Sequence, residues 1–183
     1  MKRRWIVIGL IAVAAFAALL VSSQRHLVRS GVEPSRLAPL AADLEGTRGV
    51  YLYFGAPNAD TLVAEYRDVV VKDRPADQVR AIYRELLAGP STPLVGLFPD
   101  GTELLDTYWT ERGTLYLDWN RALVQGLHVG TGREWMLLAS IVRTARENLP
   151  DVQRVAILVE GEPVESIGGH FDTRFPLEVK DWR

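Results

Sequence analysis

Cysteine is absent from the 183 residues, and that absence closes several chemistries at once. The chain can hold no disulfide framework, no thiolate zinc site, no catalytic cysteine and no lipidated N-terminal cysteine. The lack of cysteine diagnoses no redox compartment. Histidine is scarce: His26, His128 and His170 stand far apart, and none falls in an H-E-x-x-H, H-x-H or similar ligand spacing. An excess of one charge is lacking too, since 21 Lys+Arg stand against 23 Asp+Glu. The first 24 residues carry three of those cations and no acid, so the remainder holds 18 against 23, a formal charge of −5. A phosphate backbone is not attracted to such a body, and nucleic acid is not an expected partner. Internal repeats and low-complexity tracts are missing. What remains is an ordinary globular composition, 48% hydrophobic and 24% charged, at a length that suits one domain with an appendage.

The appendage is N-terminal. Lys2, Arg3 and Arg4 precede an unbroken apolar run of 17 residues, Trp5 to Val21. At ~1.5 Å per residue such a helix spans roughly 26 Å, close to a ~30 Å hydrocarbon core. Arg and Trp at the entry and Arg25 and His26 at the exit suit the two interfaces. The run has no polar face, which excludes a surface helix. A cleaved secretory signal is the alternative, but the Ala15-Phe16-Ala17 site lies inside the run and Val21-Ser22-Ser23 is a poor one. The expectation is an uncleaved single-pass anchor over residues 1–24 with the C-terminal body outside the cytoplasm. Either reading exports the body. Residues 25–48, with Gly31, Pro34, Pro39 and Gly46, read as a juxtamembrane linker.

The body, 49–183, shows alternating strand and helix patterns. Val50-Tyr51-Leu52-Tyr53-Phe54 is a strand bounded by Gly49 and Gly55, and a second runs from Leu62 to Lys72. Val79, Ile82, Tyr83, Leu86 and Leu87 make one apolar face of a helix that Asp73 or Arg74 caps, Pro75 opens and Gly89-Pro90 stops. Thr102–Trp109 and Thr114–Trp119 are strands around a turn at Glu111-Arg112-Gly113. A second helix starts at Thr131, where Thr131 and Glu134 fit a capping box, and Pro150 ends it. Arg154–Glu160 is a further strand, and Val164–Ile167 is expected to pair back on it. The expected fold is α+β: one small domain whose mixed or antiparallel β-sheet is covered on one face by two α-helices.

In these residues the chain resembles a GerMN domain, the sporulation and spore-germination module of bacterial envelope proteins. The resemblance runs from about Gly49 to Leu177. It rests on Val50–Phe54, Leu86-Leu87-Ala88-Gly89-Pro90, Phe98-Pro99-Asp100-Gly101-Thr102, Leu115-Tyr116-Leu117-Asp118, Ile141-Val142-Arg143-Thr144, Val155–Gly161, and Gly168-Gly169-His170-Phe171-Asp172 with Pro176-Leu177. The resemblance implies an extracytoplasmic, membrane- or lipid-anchored protein, a fold similar to ring-building motifs, and no catalytic residue. It departs from the family in having one domain copy where some members have two, and an anchor that cannot be lipidated on cysteine. A role in sporulation does not follow, because the module also occurs in bacteria that form no endospores.

Reactive constellations are few. The Gly126–Gly132 loop around His128 lacks the Gly-Lys-Ser/Thr end of a phosphate loop. His170-Phe171-Asp172, with Ser166 and Thr173 nearby in sequence, offers a base without a nucleophile elbow, so the expected role of His170 is to hold the tail on the sheet. Asp100, Glu103, Asp106, Asp118 and Glu160 are the candidate paired carboxylates, most of them alternating with apolar residues as a solvated sheet face requires. Arg80 and Arg84, and Arg143 and Arg146, read as solvated helix faces. No cofactor and no metal is expected. The strand aromatics Tyr51, Tyr53, Tyr66, Tyr108, Trp109, Tyr116 and Trp119 mainly pack, but two helices cannot cover both faces of a sheet. Tyr51, Tyr53 and Tyr116, which oppose the apolar sets on their strands, are therefore the expected partner-binding face. The expected function is non-enzymatic binding or assembly in the envelope, with an envelope protein or peptidoglycan as partner and homo-oligomers possible. The alternatives are an envelope hydrolase and a structural ring-former.

Overall fold

The computed structural model describes residues 46–126 and 130–182. The apolar run Trp5–Val21, residues 25–45 of the expected linker, His26 and His128 lie outside the described residues, and the last linker residues Thr47 and Arg48 belong to the first strand. No helix among the described residues is long and apolar enough to cross a membrane.

The first two strands form a long hairpin of their own. β1 (Thr47–Ala56) and β2 (Ala59–Val70) pair antiparallel through the two-residue connection Pro57-Asn58. Val50, Leu52 and Phe54 are buried to 0%, 0% and 1% exposure, whereas Tyr51 between them is 46% exposed, so the alternation sets the inner face. Helix α1 (Pro75–Leu87) follows, with extended Arg74 at its N-cap and Pro75 in its first turn. Its stripe Val79, Ile82, Tyr83 and Leu86 is buried, each side chain contributing on the order of 1.5–3 kcal/mol. Gly89 at φ +83° and then Pro90 stop it.

The second sheet contains β3 (Leu104–Trp109), β4 (Thr114–Trp119), β5 (Arg154–Val159) and β6 (Glu162–Pro163) in that order, with β7 (Leu177–Glu178) pairing the other end of β5. It is mixed: β4 and β5 are parallel and the other pairs antiparallel. A parallel pair needs a crossover, here made by the short helix α2 (Ala122–Gln125) and the long helix α3 (Thr131–Asn148). Leu115, Leu117, Trp119, Val155 and Ile157 turn inward, at 0–1% exposure. Tyr83 ties the layers together. Its ring meets Trp119 edge-on at 5.8 Å, and its hydroxyl donates to the Ile141 carbonyl of α3 at 2.8 Å. Burial pushes that phenol far up from its usual range.

The fold is α+β, as expected, but its strands do not join one sheet. The hairpin and the five-stranded sheet are separate. The reason lies in α3, which is buried nearly all round and stands against the outer edge of β1, where a single sheet would place another strand. Smaller differences follow local geometry. Glu160 (φ +52°) and Gly161 (φ +84°) make a tight left-handed turn, so the return pairing falls on Glu162–Pro163 rather than Val164–Ile167. Gly130, not Thr131, is the N-cap of α3, with no side-chain cap.

Candidate functional site

The hairpin presents two edges of opposite character. The N–H and C=O groups of Tyr51, Tyr53 and Gly55 point away from β2. Tyr51 N–H donates to Asn148 Oδ1 at 2.9 Å and its carbonyl accepts from Asn148 Nδ2 at 2.7 Å. Tyr53 N–H donates to Thr144 Oγ1 at 3.3 Å, and Ser140 Oγ donates to the Tyr53 carbonyl at 2.6 Å. Gly55 exchanges backbone bonds of 2.9 and 2.8 Å with Val95. Ser140, Thr144 and Asn148, four residues apart on one buried stripe of α3, thus replace a neighbouring strand. Sequence reasoning missed this ladder. Its signal was three short polar residues at i, i+4 and i+8 within an apolar helix.

Because Tyr51 and Tyr53 turn their backbone groups toward α3, their partners Tyr66 and Ala64 turn theirs toward the opposite side. Among the described residues nothing pairs with the outer edge of β2 at Ala64, Tyr66 and Asp68. Tyr51 and Tyr66 face each other across the strands, rings 5.5 Å apart and edge-on, at 46% and 53% exposure. The Tyr66 ring lies over Gly49, where a Cβ would come within 2.1 Å of its hydroxyl oxygen. The neighbouring Asp68 charge pushes the Tyr66 phenol up. Tyr53 is half-buried, and burial raises its phenol as well.

Tyr116 is not part of this surface. It stands on the outward face of the second sheet, opposite Tyr108 of β3, in an open depression of about 670 Å³ shared with Arg112, Arg154 and Glu178. Tyr51, Tyr53 and Tyr116 therefore occupy two faces, and Tyr66 is the aromatic that joins Tyr51.

Two buried glutamates each hold a loop. Glu65 accepts Arg67 Nε at 2.8 Å, Ser91 N–H at 3.1 Å, Ser91 Oγ at 2.8 Å, Thr92 N–H at 3.0 Å and the Thr92 hydroxyl. Burial alone would push this carboxyl up, but the hydrogen bonds from Thr92, Ser91 and Arg67 outweigh it and hold it at about 2. Glu134, placed by sequence in a capping box, instead turns away from its helix end. It accepts Ser166 Oγ at 2.6 Å, Gly168 N–H at 3.0 Å and His170 N–H at 2.9 Å, and lies 3.1 Å from His170 Nδ1. Burial is again outweighed, and the Glu134 carboxyl sits below its usual range.

These partners decide the chemistry of His170. In a nucleophile–base–acid relay the imidazole stands between the hydroxyl and the carboxylate. Here Glu134 stands between Ser166 and His170, so the Ser166 hydroxyl donates its hydrogen bond to the carboxylate and not to the ring. Thr173 Oγ1 donates to the Val164 carbonyl at 2.8 Å. His170 holds the tail, but onto α3 rather than onto the sheet. Three of the five candidate carboxylates are occupied similarly. Asp106 pairs with Arg80, so that arginine is more than a solvated charge; Asp118 accepts Gly161 N–H at 2.8 Å, and Glu160 pairs with Arg121. The Asp106 carboxyl is lowered by its bond from Tyr108 first and by Thr107 N–H next. Among the described residues no group of His, Asp or Glu is placed to hold a metal ion.

A family model described as sporulation and spore germination, the Germane domain, matches residues 51–165. The chain belongs to this family. The match runs from β1 through β6, and the tail Gly168–Leu177 lies beyond it. Three solved structures are similar to this Germane-family chain. The tandem GerMN domains of the sporulation protein GerM from Bacillus subtilis share 26% identity at a TM-score of 0.56, over 74% of this chain and 47% of that one. The chain thus spans about half of that tandem. The first GerMN domain of the same protein is covered completely, 100%, at 15% identity and a TM-score of 0.56, over 74% of this chain. A Clostridium perfringens protein, provisionally named a lipoprotein, aligns over 78% of this chain and 95% of its own at 24% identity and a TM-score of 0.52. The last two likenesses concern the fold. No curated protein matches the sequence.

Proposed function

We propose that this Germane-family domain is a non-enzymatic docking module of a bacterial cell envelope. The run Trp5–Val21 holds it at the cytoplasmic membrane with the body outside, and the hairpin binds an envelope protein. The observation that carries this reading is the contrast between the hairpin's edges. β1 has the outer backbone groups of Tyr51, Tyr53 and Gly55 satisfied by α3 and Val95, while β2 leaves those of Ala64, Tyr66 and Asp68 unpaired among the described residues. Soluble proteins protect such edges with lysine, proline, bulges or cover. From Leu62 to Val70, β2 has no lysine and no proline, and its one arginine is turned in over Phe54 at 5.6 Å. An edge of this kind accepts an added strand, the backbone supplying affinity and flanking side chains supplying selectivity. Tyr51 and Tyr66 are the flanking aromatics, large contact areas with few torsions to freeze.

The membrane part rests on the sequence of the N-terminal run. The provisional naming of the Clostridium perfringens relative as a lipoprotein agrees with an envelope location. The non-enzymatic part rests on how the polar groups are spent, since Glu65, Glu134, Ser166, Thr173 and His170 are each bonded into a loop. The test is Tyr51→Ser with Tyr66→Ser, followed by crosslinking in intact cells and mass spectrometry. The expected result is an unchanged melting temperature and loss of a specific crosslinked protein. An unchanged set of crosslinked proteins with the fold intact overturns the assignment of this face.

A further inference from the structure

The C-terminal segment builds a groove away from the hairpin, and of its lining residues only Trp135 falls within the family match. It encloses about 440 Å³ between α3 and the tail, lined by Trp135, Phe171, Phe175 and Trp182 with Glu178 and Asp181 among its walls. The aromatic rings are arranged against one another. Trp135 and Trp182 are near-parallel at 22° and 6.4 Å, and Phe171 lies 6.3 Å from Trp182. Phe175 is 69% exposed, the most exposed large apolar side chain among the described residues. Both ends of the tail are fixed. Glu134 holds the amides of Gly168 and His170 on one side, and β7 pairs with β5 on the other.

The charge of this groove is one-sided. Asp172, Glu178 and Asp181 line it, and no described cation does. Asp172 is paired with Arg174 at 2.8 Å, but Glu178 reaches Lys180 only at 3.9 Å, and Asp181 has no ion pair among the described residues. Aromatic faces backed by carboxylates attract a cation carried on an apolar stem, because the ring quadrupole and the charge act together. The chain already uses this chemistry beside the groove, where the Arg143 guanidinium lies 5.9 Å from the Trp135 ring centroid. We infer that the groove between α3 and the tail is a second binding site, which takes the side chain of a lysine or arginine residue from a basic segment of a partner polypeptide. The apolar stem lies along Phe175 and Trp182 while the charge meets Glu178 and Asp181.

The test is a titration of the full-length chain followed through its indole N–H resonances, with Trp135→Phe and Trp182→Phe used to assign two of them. The probes are Nα-acetyl-lysine N-methylamide, the arginine analogue, the uncharged norleucine analogue and chitotetraose. Either cationic probe is expected to shift the Trp135 and Trp182 signals saturably in the millimolar range, and norleucine is not. In Asp181→Asn with Glu178→Gln the affinity is expected to fall at least fivefold, and in Phe175→Ala likewise, with the other indole signals unmoved as the control for folding. An equal response to norleucine, a response to chitotetraose but to neither cation, or no response to any probe overturns the inference.

Discussion

The Asn148 side-chain amide closes on Tyr51 from both sides, accepting its N–H at 2.9 Å and donating to its carbonyl at 2.7 Å. An amide on a helix thereby stands where a neighbouring strand would, and it also donates to the Thr144 carbonyl at 2.8 Å. Asn148→Ala removes three hydrogen bonds and leaves the Tyr51 backbone groups without partners, at a cost of roughly 2–4 kcal/mol. Denaturant unfolding should show that loss, and the Tyr51 amide should lose its protection from hydrogen exchange. Ser140→Ala should cost less, about 1 kcal/mol, since it removes one bond.

Acid should loosen the loop after α1. The Glu65 carboxyl has a folded value of about 2 against an ordinary 4.5, so the folded state binds fewer protons than the unfolded one between those values. Its contribution to stability is fully present above about pH 4.5 and disappears as pH falls toward 2. Unfolding measured across that window should therefore show a steeper loss for the wild type than for Glu65→Gln. The variant itself should be less stable at pH 7 by on the order of 2–3 kcal/mol, because Ser91, Thr92 and Arg67 lose a charged acceptor.

The pair Glu134 and His170 separates structure from catalysis. Glu134→Ala deprives Ser166, Gly168 and His170 of their acceptor and should cost roughly 2–3 kcal/mol, with earlier proteolysis in the tail. His170→Ala removes one contact of a ring that is 41% exposed, so about 1 kcal/mol or less is expected. Loss of cellular function in His170→Ala at an unchanged melting temperature would revive a hydrolase.

A chain starting at Met1 should stay with membranes through a carbonate wash, and one starting at Glu45 should not, because an apolar run of 17 residues inserts strongly. A mature N-terminus at or after Ser22 in membrane-free fractions would replace the anchor by a cleaved signal.

The elements with strong periodicity were legible in the sequence. The strand Thr114–Trp119 and the start of α3 at Thr131 fall where the alternation and the apolar stripe place them. What could not be read is what meets over long separations. The Thr131–Glu134 spacing suits a cap locally, but the groups that bury Glu134 arrive more than thirty residues later, from Ser166 to Phe171. The polar stripe of α3 reads as three tolerated interruptions until β1 is placed beside it. For the same reason the separation into two sheets was hidden, because each strand pattern is compatible with either. Tyr51 was legible as an exposed aromatic, whereas its separation from Tyr116 depends on which sheet each strand joins.

The claim that partners add at the open edge of β2 can be tested with the chain's lack of cysteine. A single Asp68→Cys on the outward face, carrying a benzophenone maleimide, is to be photolysed in intact cells with and without Ala64→Pro. The Ala64 N–H points away from β1, so proline leaves the hairpin bonds intact while blocking an incoming strand. The account expects a discrete crosslinked protein from Asp68→Cys that vanishes with Ala64→Pro, and none from Glu147→Cys on the exposed side of α3. A product that persists with Ala64→Pro, or one of equal yield from Glu147→Cys, would contradict it.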